Sequence, residues 1–300
     1  MPVQKAELDR LAVVLMVLMC AVLGVQNVVV KLGNEGISPM WQSGMRSAGA
    51  AILVWAWAQW RGIRLWEADG TLWPGIATGV LFAGEFGLIF TALQFTDASR
   101  GVIFLYTAPF FVALGALVWL PNENMRKAQW LGMALAFAGV LMLFGENLVR
   151  PAGQAWIGDL MMLAGALFWA ATTLTVKATV LAHSAPEKTL LYQLGVSALV
   201  LPLLSIAFGE AGVFAPSARV WASLAYQIVV VASGAYLAWF WLIRRYPATR
   251  VSSFSFLTPV MGVLAGVVLL GEPLTPLIVL ALVLVGAGIW VANRPAVAKV

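Results

Sequence analysis

The sequence predicts an all-α membrane protein, with ten transmembrane helices arranged as two inverted five-helix repeats (5+5). Three observations lead to this prediction. The 300-residue chain is 62% hydrophobic and 10% charged, with mean hydropathy +0.91; an ordinary soluble domain is roughly 25% charged. Residues 80–120 align without a gap onto 230–270 at a constant offset of 150, and ten of these 41 positions are identical, among them Gly84/Gly234, Arg100/Arg250 and Pro109/Pro259. Ten apolar runs reach the roughly 20 residues that a membrane helix needs. Five helices per repeat is an odd number, so the second repeat must enter the membrane from the opposite side. The halves, 1–147 and 148–300, are therefore inverted copies about a pseudo-twofold axis in the membrane plane, an arrangement that lets one pattern make two gates.

The predicted spans are 10–32, 39–60, 72–93, 98–120, 127–146, 156–181, 187–208, 218–243, 248–270 and 274–293. Short gaps with turn residues separate them, such as Gly33-Asn34-Glu35-Gly36 and Pro121-Asn122-Glu123-Asn124. The first span follows MPVQKAELDR, whose mixed charges make a poor signal-peptide start. It is expected to be retained, with no soluble domain before or after the bundle. Its Gly24–Lys31 stretch (GVQNVVVK) corresponds to Ala170–Lys177 (AATTLTVK) in the sixth span at an offset of 146. Gln26 and Asn27 therefore pair with Thr172 and Thr173. These polar groups can contact a zwitterion, or they can join helices at about 0.6 kcal/mol each.

In the second span Arg46 lies about two turns in, placed to counter a carboxylate or to sit at the interface. The third span holds Glu85, the only carboxylate well inside a span; its repeat partner is Ala235. Such a group costs about 2.5–3.5 kcal/mol to insert and usually faces a cavity. It can bind an ammonium group, take up a proton, or tie two helices together. The fourth span carries Tyr106 and Pro109, and the ninth carries Ser252, Ser253, Ser255 and Pro259. Proline lacks an N–H and crowds the carbonyl four residues earlier. Leu105 and Ser255 should therefore lose their usual helix donors, which membrane helices tolerate only beside protein or water. Two symmetric kinks suggest gating, though packing alone can also explain a kink.

Most of the fourteen tryptophans fall near span ends, as an interfacial belt does. Trp169, central in the sixth span, does not; it fits a pocket wall or helix packing. The seventh span, with Gly195 and Pro202, has the weakest signal. Gly75/Gly79 and Gly262/Gly266 are small-xxx-small contacts expected to pack. Lys31 and Lys177, near span ends, are expected to snorkel. Duplication explains the pairing of Arg100 with Arg250, but chemistry does not.

With the N-terminus in the cytoplasm, 13 of the Lys and Arg residues fall on the inner side and 5 on the outer, which places both termini inside. The net charge of +5 reflects these loops rather than nucleic-acid binding. The lone Cys20 excludes an internal disulfide. There is no Walker A, H-E-x-x-H or G-x-S-x-G motif. No cofactor, metal or enzymatic activity is expected.

Phe168-Trp169-Ala170-Ala171 running to Lys177, the Arg46 segment, and the two proline helices with their Pro-Asn-Glu (121–123) and Gly-Glu-Pro (271–273) endings carry a resemblance that covers nearly the whole chain. The chain resembles the drug/metabolite transporter superfamily in its ten-helix EamA-type branch. Within that branch it is similar to YddG-type amino-acid exporters, which have matching residues at Glu85, Tyr106 and Trp169. That group can carry tryptophan directly before the fourth-span proline. Here the residue is Ala108, which argues against a strict aromatic preference. The resemblance implies a multi-pass bacterial inner-membrane exporter of amino acids, aromatic or broad in range, or of related small metabolites. A small molecule would be its substrate and the lipid bilayer its surroundings. Together with the readings above, the candidate cavity site comprises Glu85, Trp169, Tyr106, Gln26, Asn27, Thr173, Ser253 and Ser255, with gating at Pro109 and Pro259. The fifth and tenth helices would lie outside the transport core, their Ala/Gly-rich faces either forming a homodimer or facing lipid around a monomer. A broad drug effluxer and a non-transporting scaffold are the competing readings.

Overall fold

The computed structural model describes residues 8–120, 123, 125–145, 153–270 and 275–294. The expectations at Lys5, Pro121, Asn122, the Asn147/Leu148 boundary, Arg150, Gly271 to Pro273 and Lys299 lie outside the described residues, as does the packing expected of Gly266.

Among the described residues, eight helices are long and apolar enough to cross a membrane. The second span, Pro39–Trp60, and the two-piece ninth, Ala248–Phe254 and Leu257–Leu270, complete the ten. The first span runs Arg10–Gly24, breaks at Val25 and resumes over Gln26–Asn34. The third is Leu72–Ala92, and the fourth is Ala98–Leu105 followed by Ala108–Trp119. The fifth, sixth and seventh are Lys127–Phe144, Ala155–Ala178 and Pro186–Ala207, the seventh continuing through Pro202. The eighth joins Ala218–Tyr226 and Tyr236–Arg245 through a π-helical stretch, Gln227–Ala235. The tenth is Pro276–Asn293.

The repeat is visible in the packing. The hydroxyls of Ser47 and Ser197, 150 residues apart, are 2.9 Å from one another. The rings of Phe86 and Tyr236, also repeat partners, have centroids 5.7 Å apart. Two residues exchanged by a twofold axis can touch only beside that axis. The axis therefore passes between the second and seventh spans and between the third and eighth. The offset of 150 also extends upstream of residue 80.

Small residues set the closest helix approaches. A Cβ on Gly75 would lie 2.4 Å from the Tyr192 ring, and one on Gly79 would lie 2.6 Å from Val196, so the third span packs directly on the seventh. Gly24 and Gly262 bring the first and ninth spans into backbone contact, where a Cβ on Gly24 would be 2.6 Å from the Gly262 nitrogen. The fifth and tenth spans use their small faces on each other. A Cβ on Gly132 would lie 2.4 Å from the Ala292 nitrogen, and one on Gly288 would lie 2.4 Å from the Ala136 nitrogen. The faces suggested as a dimer contact are thus consumed inside the subunit. Trp60, Trp73, Trp119, Trp156 and Trp221 are exposed near helix ends, in keeping with a belt.

The charged span ends differ from expectation. Lys177 does not snorkel: its Nζ lies 3.3 Å from Glu123 and donates to the Tyr246 carbonyl at 2.7 Å, with both charged side chains buried. Lys31 meets Asp97 at 3.3 Å at the surface. Arg100 does have a chemical role, pairing with Asp159 of the sixth span at 2.6 Å.

Candidate functional site

A cavity of about 90 Å³ lies at the centre of the bundle. On the same measure one water needs roughly 10–15 Å³, so this cavity admits a small solute. Seven spans line it. Gln26 and Asn27 come from the first span, directly after its break at Val25. Phe82, Glu85, Phe86 and Ile89 come from the third, with the spacing of one helix face. Tyr106 sits at the break of the fourth, and Trp169, Thr172 and Thr173 form one face of the sixth. Gln193, the group Tyr236, Trp239 and Phe240, and the pair Ser255 and Thr258 come from the seventh, eighth and ninth.

Both proline spans break two to four residues before the proline, at 106–107 and 255–256. Each then restarts with the proline in its first turn, where a missing N–H costs nothing. The ninth-span break reassigns its own hydrogen bonds. The Thr258 N–H donates to the Ser255 carbonyl at 2.9 Å, so that carbonyl is not free as expected. The Phe254 carbonyl instead accepts from the Cys20 thiol of the first span at 3.4 Å. At the fourth-span break the Thr107 hydroxyl donates to the Phe104 carbonyl at 2.6 Å.

The cavity wall is mostly aromatic. Tyr106 and Trp169 meet edge to face at 6.1 Å, and Trp169 and Trp239 are 5.8 Å apart. Opposite them, Phe82 and Phe86 are 4.6 Å apart, and each lies within 6 Å of the Tyr236 ring. The Tyr236 hydroxyl accepts from Gln26 Nε2 at 3.4 Å. Glu85 is the one carboxylate on this wall, with no hydrogen bond or ion pair to the described residues. Thr172, Thr173 and both ends of the Gln193 amide are buried there without partners. Such a wall can stack a side chain, receive a cation at Glu85 and offer donors to an anionic group.

The structure brings Glu85, Trp169, Tyr106, Gln26, Asn27, Thr173 and Ser255 to the cavity. The Ser255 hydroxyl donates locally to the Ser252 carbonyl at 2.7 Å. Ser253 is not there: it accepts from Asn293 of the tenth span at 3.0 Å, on the far face of the broken helix. Sequence reasoning missed Gln193, Tyr236 and Trp239. At the repeat offset Tyr236 and Trp239 pair with Phe86 and Ile89, which also line the cavity, whereas Gln193 pairs with Ser43, which does not.

A model of the EamA-like transporter family matches the chain twice, over residues 10–145 and 156–294. The chain is 31% identical over 290 residues to a "Probable amino-acid metabolite efflux pump" of Salmonella typhimurium, covering 92% of this chain and 93% of that protein. It is 27% identical to the "Uncharacterized inner membrane transporter YedA" of Escherichia coli K12, with 91% and 90% covered. It is 26% identical to the "Uncharacterized transporter YoaV" of Bacillus subtilis, with 88% and 90% covered. A solved crystal structure at 19% identity superposes with a TM-score of 0.79 over 95% of this chain and 97% of the other, which shows the fold. The doubled match fits the twofold packing of the spans, and these relatives are transporters, not enzymes; this chain belongs to the EamA-like transporter family of the drug/metabolite transporter superfamily.

Proposed function

We propose that this transporter exports amino acids and related small metabolites across the bacterial inner membrane by alternating access, with both termini in the cytoplasm. The observation that carries this reading is a Glu85 carboxylate on the wall of an aromatic cavity that also holds the unpartnered hydroxyls of Thr172 and Thr173 and the Gln193 amide. The ammonium group of the substrate meets Glu85. Trp169, Tyr106 and Trp239 contact its side chain, with Gln26, Asn27, Thr173 and Ser255 around its polar groups. The helix breaks before Pro109 and Pro259 are the hinges about which the halves rock. The relative named as an amino-acid metabolite efflux pump supports the substrate class.

Uptake of a panel of radiolabelled amino acids into proteoliposomes tests this, comparing wild type with Glu85→Gln, with and without a pH gradient. Saturable uptake is expected, reduced about tenfold or more in the variant, in line with the loss of a charged binding partner. Unchanged uptake by a folded Glu85→Gln would sink the role of Glu85. The aromatic wall also favours a second reading, efflux of drugs or toxic metabolites. Wild type that carries no amino acid while folded would select it.

A further inference from the structure

Arg46 lies behind the cavity rather than on it, and its surroundings are unusual for a cation. It is completely buried, and among the described residues its guanidinium nitrogens reach no carbonyl or carboxylate at hydrogen-bonding geometry; the Tyr236 hydroxyl is the polar group that engages it. Its guanidinium carbon stands 3.9 Å from the Phe86 ring centre, 5.0 Å from Phe90, 5.8 Å from Tyr236 and 5.9 Å from Phe82. Phe82, Phe86 and Tyr236 are themselves cavity wall, so the charge sits one ring behind the solute space. Aromatic faces attract a cation without taking up its hydrogens. A guanidinium keeps its proton in proteins, so this charge is fixed. A guanidinium that only tied helices together would be expected to spend its donors on carbonyls or carboxylates. This one faces aromatic rings instead, with the Tyr236 hydroxyl as its polar neighbour, and sits within electrostatic reach of Glu85.

We propose that Arg46 is a specificity residue that makes the cavity select net-neutral zwitterions over molecules carrying an ammonium group alone. The inference rests on the amino-acid reading of the cavity. A site shielded from water penalises net charge far more than separated opposite charges that face one another. With Glu85 ionised, Arg46 and Glu85 sum to zero. A bound zwitterion preserves that sum. An amine without a carboxylate leaves the site at plus one, and an N-acylated amino acid leaves it at minus one. The unpartnered Thr172, Thr173 and Gln193 groups face the same space and supply hydrogen bonds for the carboxylate. Arg46 therefore acts through the field across the ring wall, not by touching the solute.

The test uses the full-length protein in proteoliposomes and the amino acid it carries best, phenylalanine being the first probe. Uptake is competed with unlabelled phenylalanine, phenethylamine and N-acetylphenylalanine. Wild type should prefer the zwitterion about tenfold or more over either derivative, the size expected of one unit charge at a few ångströms in a partly shielded site. Arg46→Gln should raise the relative potency of phenethylamine about tenfold and lower that of N-acetylphenylalanine. Arg46→Lys, which keeps the charge, should retain the wild-type order. A folded Arg46→Gln with the wild-type order would overturn the proposal. If Arg46→Gln fails to fold, the wild type and Arg46→Lys still decide. Phenethylamine competing as well as phenylalanine in wild type, or losing its deficit in Arg46→Lys, overturns the proposal. Wild type that transports amines but no amino acid overturns the functional reading itself.

Discussion

Lys31 and Lys177 are repeat partners that begin from the same pattern and end in opposite environments. Each lies four residues beyond a cavity-lining residue, Asn27 or Thr173, and so about 6 Å from the cavity along its helix. At the Lys177 end the lysine and Glu123 are 4% and 7% exposed and 3.3 Å apart. The backbone seals the pair further: Lys177 donates to the Tyr246 carbonyl and Glu123 accepts from the Thr249 N–H. This knot joins the ends of the fourth and sixth spans to the junction of the eighth and ninth. At the Lys31 end the lysine and Asp97 are also 3.3 Å apart, but 50% and 81% exposed. An inverted repeat gives each end the same cation, yet a single conformation buries only one. In our proposal of alternating access, the two ends would exchange these roles.

The largest effect should come from breaking the buried end. Lys177→Ala leaves Glu123 buried without its cation, which in similar settings costs about 3–5 kcal/mol. A large drop in thermal unfolding temperature in detergent is expected, and Glu123→Gln should resemble it. A variant as stable as Lys31→Ala would erase the distinction between the ends. Next is Gly24→Ala, which forces a methyl against the Gly262 backbone and should cost about 1–3 kcal/mol by overpacking. Gly286→Ala in the tenth span meets nothing within 4 Å and serves as its neutral control in the same melting assay.

Asp69 is an intermediate case. It lies in the loop after the second span and bonds the Thr71 hydroxyl at 2.6 Å and Lys188 at 2.9 Å. The Thr71 hydroxyl first, and Lys188 next, pull its carboxyl down to about 2. An unfolded Asp titrates near 3.9, so the folded state holds its proton less tightly. The resulting stability is full above about pH 4 and fades as pH falls towards 2. Asp69→Asn should therefore melt slightly lower than wild type at pH 6, with the gap closing below pH 4. A gap that widened on acidification would contradict this sign. The smallest effect is expected of Lys31→Ala, at most about 1 kcal/mol, since both partners are in solvent.

Much of the cavity was legible because two signals are local. An isolated carboxylate or a central tryptophan in an apolar span has few places to go, and Glu85 and Trp169 both face the cavity. Duplication carried Gln26, Asn27 and Thr173 there, since partners about a twofold axis share one environment near it. Ser253 and Ser255 were less separable. A helix turns about 100° per residue, so two positions two apart point to nearly opposite faces, and only Ser255 of the pair reaches the cavity while Ser253 turns to the tenth span. Nothing in the composition announced the π-helical stretch Gln227–Ala235, just before the residues Tyr236 and Trp239 that line the cavity.

By itself the sequence determined the ten spans, the repeat and the proline breaks, because hydropathy, a constant offset and a missing N–H are properties of the chain alone. Tertiary structure decided which end buries its lysine, that the small faces of the fifth and tenth spans meet each other, and that Arg46 stands in an aromatic cage beside Glu85. Those outcomes depend on residues tens of positions apart. Pairing energies between such residues are set by distance and burial, neither of which a linear pattern contains.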